Sequence, residues 1–184
     1  VIGGVGLIQK LQKTMDHKFK KDDSIIIVIG KTFGHLEQSV FLEEIYSILD
    51  GQPPEINLIN EKNNGENVLE IINKNLVSAV HDISTGGLVV ALAEMSMGTN
   101  YGVKINKPKN LTNSLKYFFG EDQGRYILEI DKENLEKVEK ILKKNNIFYE
   151  NIGSTQKDYF EIDKEMRIDI KELYKINNQW YNNY

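Results

Sequence analysis

Apolar residues recur along the chain in two rhythms, and the change from one to the other divides it into elements. An unbroken aliphatic run at 25–29, closed by Gly30, predicts a strand buried on both faces. After Ser39 the spacing becomes helical, with Phe41, Ile45, Ile48 and Leu49 on one side. A strand–loop–helix unit of this kind sets its loop at the carboxyl end of a sheet, where ligands often bind. His35 and Ser39 in that loop are either ligand-facing or a surface residue and a cap.

Asp50-Gly51-Gln52-Pro53-Pro54 reads as a turn. A second helix is expected after Gly65, carrying Val68, Leu69, Ile72 and Leu76. A short apolar run at 77–80 enters a polar turn, and a third helix follows with Leu88, Leu92 and Met95 on one face, ending near Gly98. Weak alternation at 101–105 predicts an edge strand closed by Lys107-Pro108-Lys109. Further on, 126–130 reads as a strand and 133–145 as an amphipathic helix with Leu135, Val138, Ile141 and Leu142 inward. Glu133–Lys137, Glu136–Lys140 and Glu139–Lys143 are spaced for helical ion pairs on its solvated face. A strand at 147–152, a turn at 153–157 and a partner at 158–162 form an expected hairpin. A short strand at 166–168 and a terminal helix at 170–182, with Leu173, Ile176 and Trp180 inward, complete the pattern. The fold class is α/β with α+β character: one domain over 1–184, a mixed sheet with helices packed on at least one face.

Composition narrows the function. The 23 basic and 27 acidic residues of this 184-residue chain give a net charge of -4, which argues against a nucleic-acid module. No cysteine is present, which removes disulfides and thiolate metal sites. No apolar run approaches bilayer length and no signal-peptide pattern opens the chain, so the expectation is a cytoplasmic protein without a membrane partner. The start at Val1, without Met, is read as a piece of a longer chain. Gly3, Gly4 and Gly6 predict bending or close approach of backbone, and 13–24 a charged, solvated loop.

Two stretches carry chemistry. Ala79-Val80-His81-Asp82-Ile83-Ser84-Thr85-Gly86-Gly87-Leu88 sets a polar turn before the most apolar helix. Either Ser84 or Thr85 caps that helix and the glycines make the turn, or the free amides hold an anion or metal–phosphate beside His81, Asp82 and Ser84. Phe119-Gly120-Glu121-Asp122-Gln123-Gly124-Arg125 places two acids, an amide and an arginine just before a strand. Either the carboxylates hold Mg²⁺ and Arg125 clamps a phosphate, or the segment is a charged loop with an internal salt bridge.

Taken together and in order, these motifs resemble the second C-terminal domain of the phosphoribosylformylglycinamidine synthase family, within the aminoimidazole ribonucleotide synthetase-like superfamily. The matching pieces are the opening Val1-Ile2-Gly3-Gly4-Val5-Gly6-Leu7-Ile8, the loop Gly34-His35-Leu36-Glu37-Gln38-Ser39, the turn Gly51-Gln52-Pro53-Pro54, and the two stretches above. The sequence departs from the family pattern at Glu37-Gln38 (usually Gly-Gly), Thr85 (usually acidic) and Asp122 (usually Ser).

The resemblance implies a ligase of purine biosynthesis. It would convert formylglycinamide ribonucleotide to its amidine with ATP, Mg²⁺ and ammonia from a glutaminase subunit or domain. It implies partner domains upstream in the same chain, and catalytic residues outside this stretch. It places His81, Asp82, Ser84, Gly86, Gly87, Glu121, Gln123 and Arg125 at an auxiliary ATP/ADP site, with Asp82 as Mg²⁺ ligand. The isolated piece would be inactive, and an uncovered apolar face would drive homodimers. The alternatives are a non-catalytic assembly or regulatory domain, and a domain of another ATP-dependent superfamily member.

Overall fold

The computed structural model describes residues 3–8, 11, 14–179 and 181. The strands are β1 (Ile25–Ile29), β2 (Ala79–Ile83), β3 (Tyr101–Ile105), β4 (Arg125–Ile130), β5 (Tyr149–Lys157), β6 (Tyr159–Ile162) and β7 (Met166–Asp169). The helices are α1 (Val40–Tyr46), α2 (Leu58–Asn73), α3 (Gly87–Ser96), α4 (Ser114–Phe119), α5 (Leu135–Lys144) and α6 (Ile170–Asn178). The strands form one seven-stranded sheet in the order β2-β4-β1-β5-β3-β6-β7. Every pairing is antiparallel except β3 with β6, so the sheet is mixed, as the sequence predicts.

β1 is central and its period of two splits the core. Ile26 and Val28 join a cluster with Leu88, Leu92 and Met95 of α3 and Phe118 of α4. Ile27 and Ile29 face the other way, onto Val68 and Ile71 of α2 and Val138 and Leu142 of α5. Both faces of the sheet are therefore covered, and each buried aliphatic side chain contributes about 1.5–3 kcal/mol.

The charged loop ahead of β1 is exposed at Asp16 and Lys20, as expected, yet Phe19 within it is buried. The buried Glu129 carboxylate accepts the Lys20 and Lys21 backbone N–H groups at 2.9 and 3.0 Å and pins the loop to β4.

Several boundaries differ from the sequence reading, each for a tertiary reason. α2 starts at Leu58 with Asn57 as its cap and runs through Gly65, which faces the Tyr126 hydroxyl. β3 is interior rather than an edge, because β6 pairs parallel to it and Val103 and Ile105 are fully buried. β5 does not stop at Ile152: a bulge beside β1 carries it through Gly153 to Lys157. β6 is not its hairpin partner, since the chain turns at Asp158, whose N–H reaches the Asn100 carbonyl, and β3 lies between the two. α4, capped by Asn113, was hidden in a polar stretch. α1 and α6 bury less than their patterns promise: Ile45, Leu49 and Ile176 are all more than half exposed. Gly3, Gly4 and Gly6 have open space around them. Val1, Ile2 and Trp180 lie outside the described residues.

Candidate functional site

β2 is the edge strand beyond β4, and it carries His81 and Asp82 within the strand rather than in the turn after it. The Asp82 carboxylate is open to solvent, with 65% of its side chain exposed. His81 is held on both sides, with Nδ1 3.3 Å from Asp82 Oδ1 and Nε2 3.0 Å from Glu94 Oε2 of α3. The His17 ring packs 4.9 Å from the His81 ring, and burial followed by the charges of Lys18 and His81 lowers the His17 pKa.

The chain then turns through exposed Ser84 and Thr85 into α3. Neither side chain caps the helix. Its N-cap is Gly86 at φ 80°, with no side-chain cap bond of its own. The next residue, Gly87, has φ 73°, and a Cβ there would stand 2.7 Å from the Gly120 carbonyl oxygen. Gly87 therefore lets the turn lie flat against the backbone of the second chemical stretch, while Gly86 leaves room for the Val90 side chain.

That contact explains what replaces the local cap. Glu121 Oε1 accepts the Gly86 N–H at 2.7 Å and the Val40 N–H at 3.0 Å. One carboxylate thus sits at the N-termini of both α3 and α1, where the helix dipoles favour negative charge. The anion that the α3 terminus attracts is supplied by the protein itself. Ser39 adds the ordinary side-chain cap to α1, through the Leu42 N–H.

The remaining members of the stretch are divided between interior and surface. Asp122 is buried and accepts three successive backbone N–H groups, from Phe33 at 3.0 Å, Gly34 at 2.8 Å and His35 at 3.1 Å. Arg125 is 1% exposed and donates to the Asp122 carbonyl, Thr32 Oγ1 and the Gly120 carbonyl at 3.1, 3.2 and 2.5 Å. Burial lowers its pKa, and the Asp122 charge opposes that. This is the internal-salt-bridge alternative of the sequence reading. Gln123 is exposed and opens onto a groove of about 630 Å³, whose walls include Phe33, Asn57, Glu61, Asn64 and Phe148.

The structure therefore brings Gly86, Gly87 and Glu121 together at the start of α3, while His81 sits against Glu94 in the second half of that helix and Gln123 lines the groove. Asp82 lies opposite Tyr126 in the β2–β4 ladder. Burial first, and then the charges of Glu61 and Asp82, raise the Tyr126 pKa. Among the described residues no three His, Asp or Glu converge to hold a metal ion. Asp82 fits Mg²⁺ only as a single protein ligand, which is how that ion binds when waters and phosphate oxygens complete its shell. Glu61, Glu94, His17 and Thr32 were missed from sequence because each comes from a distant segment with no motif of its own. Among the described residues no helix is long and apolar enough to cross a membrane.

The family model for the AIR synthase related protein C-terminal domain matches residues 21–163. A subunit of phosphoribosylformylglycinamidine synthase, PurL of Pelagibacter ubique (strain HTCC1062), is 47% identical over 157 residues, covering 85% of this chain and 22% of that protein. PurL of Rhodopseudomonas palustris (strain HaA2) is 40% identical over 154 residues, 84% of this chain and 21% of that protein. The chain spans about a fifth of the length of these curated relatives. Among solved structures, Thermotoga maritima PurL complexed with FGAR superposes with a TM-score of 0.76 at 17% identity, over 89% of this chain and 30% of that one. The same protein complexed with ATP, and the PurLQS structure, give TM-scores of 0.68 and 0.67. At these identities, 15% and 18%, the superpositions show a shared fold.

Proposed function

The chain belongs to the family of AIR synthase related protein C-terminal domains, and on that premise we propose that it is the C-terminal synthetase domain of an ATP-dependent carbon–nitrogen ligase of purine biosynthesis. The reaction is the conversion of formylglycinamide ribonucleotide to formylglycinamidine ribonucleotide, with ammonia delivered from a glutaminase. The observation that carries this reading is the 47% identity to a phosphoribosylformylglycinamidine synthase subunit over 85% of the chain. The remainder of such an enzyme supplies the phosphorylating residues, and this domain completes the synthetase core and closes an auxiliary nucleotide site.

Within that site the residues take two kinds of role. Asp82 is the Mg²⁺ ligand, with exposed Ser84 and Gln123 available to a nucleotide's polar groups. Mg²⁺ there would neutralise phosphate charge. Glu121, Gly86, Gly87 and Arg125 are positioning residues: they hold the turn and the groove loop in register, Glu121 through Oε1 on the Gly86 N–H and Arg125 through the Asp122 and Gly120 carbonyls. His81, tied to Glu94, orients the edge strand beside Asp82.

The test uses the full-length parent enzyme. Formylglycinamide ribonucleotide, ATP, Mg²⁺ and ammonium are supplied, and ADP release is followed against a control without substrate. Substrate-dependent release with amidine product is expected. Asp82→Asn in that enzyme is expected to lower nucleotide retention more than turnover. Folded enzyme without substrate-dependent release overturns the ligase reading, and Asp82→Asn that abolishes turnover with retention intact overturns the auxiliary-site assignment.

A further inference from the structure

The sheet face opposite α3 carries a second feature, independent of the reading above. α2 and α5 lie side by side over Ile27, Ile29, Leu128 and Ile130, and Asn145 Nδ2 donates to Asn67 Oδ1 at 2.6 Å across them. Between the two helices runs a groove of about 430 Å³. Leu76 and Ile141 give it an apolar lining, and Lys74, Lys137, Lys140 and Lys144 line it with positive charge.

Lys137, Lys140 and Lys144 are free for a partner: none forms an ion pair among the described residues, and the pairs that spacing promises to Lys137 and Lys140 are not made. Glu133 falls in a 3₁₀ turn at Lys132–Asn134 ahead of α5, and Lys137 Nζ donates to Asn134 Oδ1 instead, at 3.1 Å. Lys140 and Lys144 form no ion pair among the described residues, whereas Glu139–Lys143, which does form at 2.8 Å, does not line the groove. The one carboxylate on the groove wall, Glu70, is held by Lys74 at 2.5 Å. Helix-dipole stabilisation accounts for a lysine in the last turn, such as Lys144, but works against Lys137 in the first. Three unneutralised cations thus border an aliphatic strip on a protein whose net charge is -4.

We propose that the α2–α5 groove docks an acidic peptide segment of a partner protein, with one aliphatic side chain set against Leu76 and Ile141 and flanking carboxylates on Lys137, Lys140 and Lys144. The apolar lining favours a peptide over a free anion, which would gain nothing from it. The lining contains no aromatic ring on which a base could stack. The groove admits a short extended segment, not a folded domain.

The probe is a fluorescein-labelled peptide, acetyl-Glu-Asp-Glu-Leu-Glu-Asp-amide, titrated by the full chain and read by fluorescence anisotropy. Saturable binding is expected. It should weaken at least about tenfold with the Lys140→Glu/Lys144→Glu double variant and in ~0.5 M salt, since exposed pairs are screened, and at least about threefold when the peptide leucine is replaced by serine. Lys143→Glu, outside the groove, should leave affinity unchanged. All three lysines are exposed, so the variants should remain folded, with the small loss of melting temperature that acidic residues in the last turn of α5 bring. Absence of saturable binding at millimolar peptide, equal loss with Lys143→Glu, indifference to the leucine, or equally tight binding of an oligothymidylate of matching charge overturns the proposal.

Discussion

Arg125 and Asp122 face each other in the interior, with Nη2 3.9 Å from Oδ2, and the pair is the joint between two loops. Asp122 turns its oxygens on the 33–35 backbone, while Arg125 gathers the carbonyls of Gly120 and Asp122. Neither charge reaches solvent. Removing Arg125 leaves a buried carboxylate without its counter-charge, and the cost of breaking such a pair is about 3–5 kcal/mol. Arg125→Met is therefore expected to lower the unfolding free energy by that amount in urea titration. A loss under about 1 kcal/mol would show that Asp122 is satisfied by its three amides alone.

Glu121 separates shape from charge. Glu121→Ala removes the acceptor of two helix termini, at about 1 kcal/mol each. Glu121→Gln keeps one oxygen in place and loses only the charge–dipole part, about 0.3–1 kcal/mol. Hydrogen exchange at the Val40 and Gly86 amides should accelerate together in the alanine variant. Acceleration at only one of them would mean that the shared cap is not shared in solution.

Gly87→Ala meets two penalties at once: a left-handed backbone, at about 1–3 kcal/mol, and a Cβ 2.7 Å from the Gly120 oxygen. The turn must move off the 119–120 backbone. Thermal melting should show a larger loss than for Glu121→Ala, because the turn and the Glu121 contact are displaced together.

Asp82→Asn is the contrasting case. The side chain is exposed, and its one contact shown is the 3.3 Å approach to His81, so stability should change by no more than about 0.5 kcal/mol. A larger drop in denaturant midpoint would make Asp82 a structural residue and withdraw it as a metal ligand.

Glu129 predicts a pH dependence. Burial raises its pKa above the ordinary carboxylate value, against the opposing hydrogen bonds from Lys20 and Lys21. The folded protein then holds the proton more tightly than the unfolded chain. The stability gained from this is full below the unfolded pKa and is lost as pH rises through the folded one. Wild-type stability, measured by urea unfolding at successive pH values from the ordinary carboxylate range upward, should fall relative to Glu129→Gln and then level off. Parallel curves for the two proteins would contradict the shift.

Part of this molecule was legible without coordinates. The aliphatic run of β1, the amphipathic α5 and the inward face of α3 follow from periodicities that local geometry imposes, and burial confirms them: Ile26, Leu88, Leu92, Val138 and Leu142 are all sealed. The motif stretches around Asp82 and Glu121 were found for a similar reason, because glycine, acid and amide cluster where backbone must turn. The place of β3 inside the sheet was not legible, because its neighbour β6 lies more than fifty residues away in the chain and strand pairing leaves no local signature.

Roles inside the motifs were hidden in the same way. Ser84 and Thr85 look like caps, yet a carboxylate from residue 121 takes the amide at residue 86. Arg125 looks like a phosphate clamp, yet it is enclosed by its own loop. Spacing along the chain fixes which side chains share an element face, so the sequence by itself determined that β1 is buried on both faces and which faces of α3 and α5 turn inward. Which charges point outward, as at Asp82, and which are spent inside, as at Arg125 and Asp122, depends on contacts between segments tens of residues apart. Only the tertiary structure decided that, because the cost of burying a charge is met by partners that no local stretch contains.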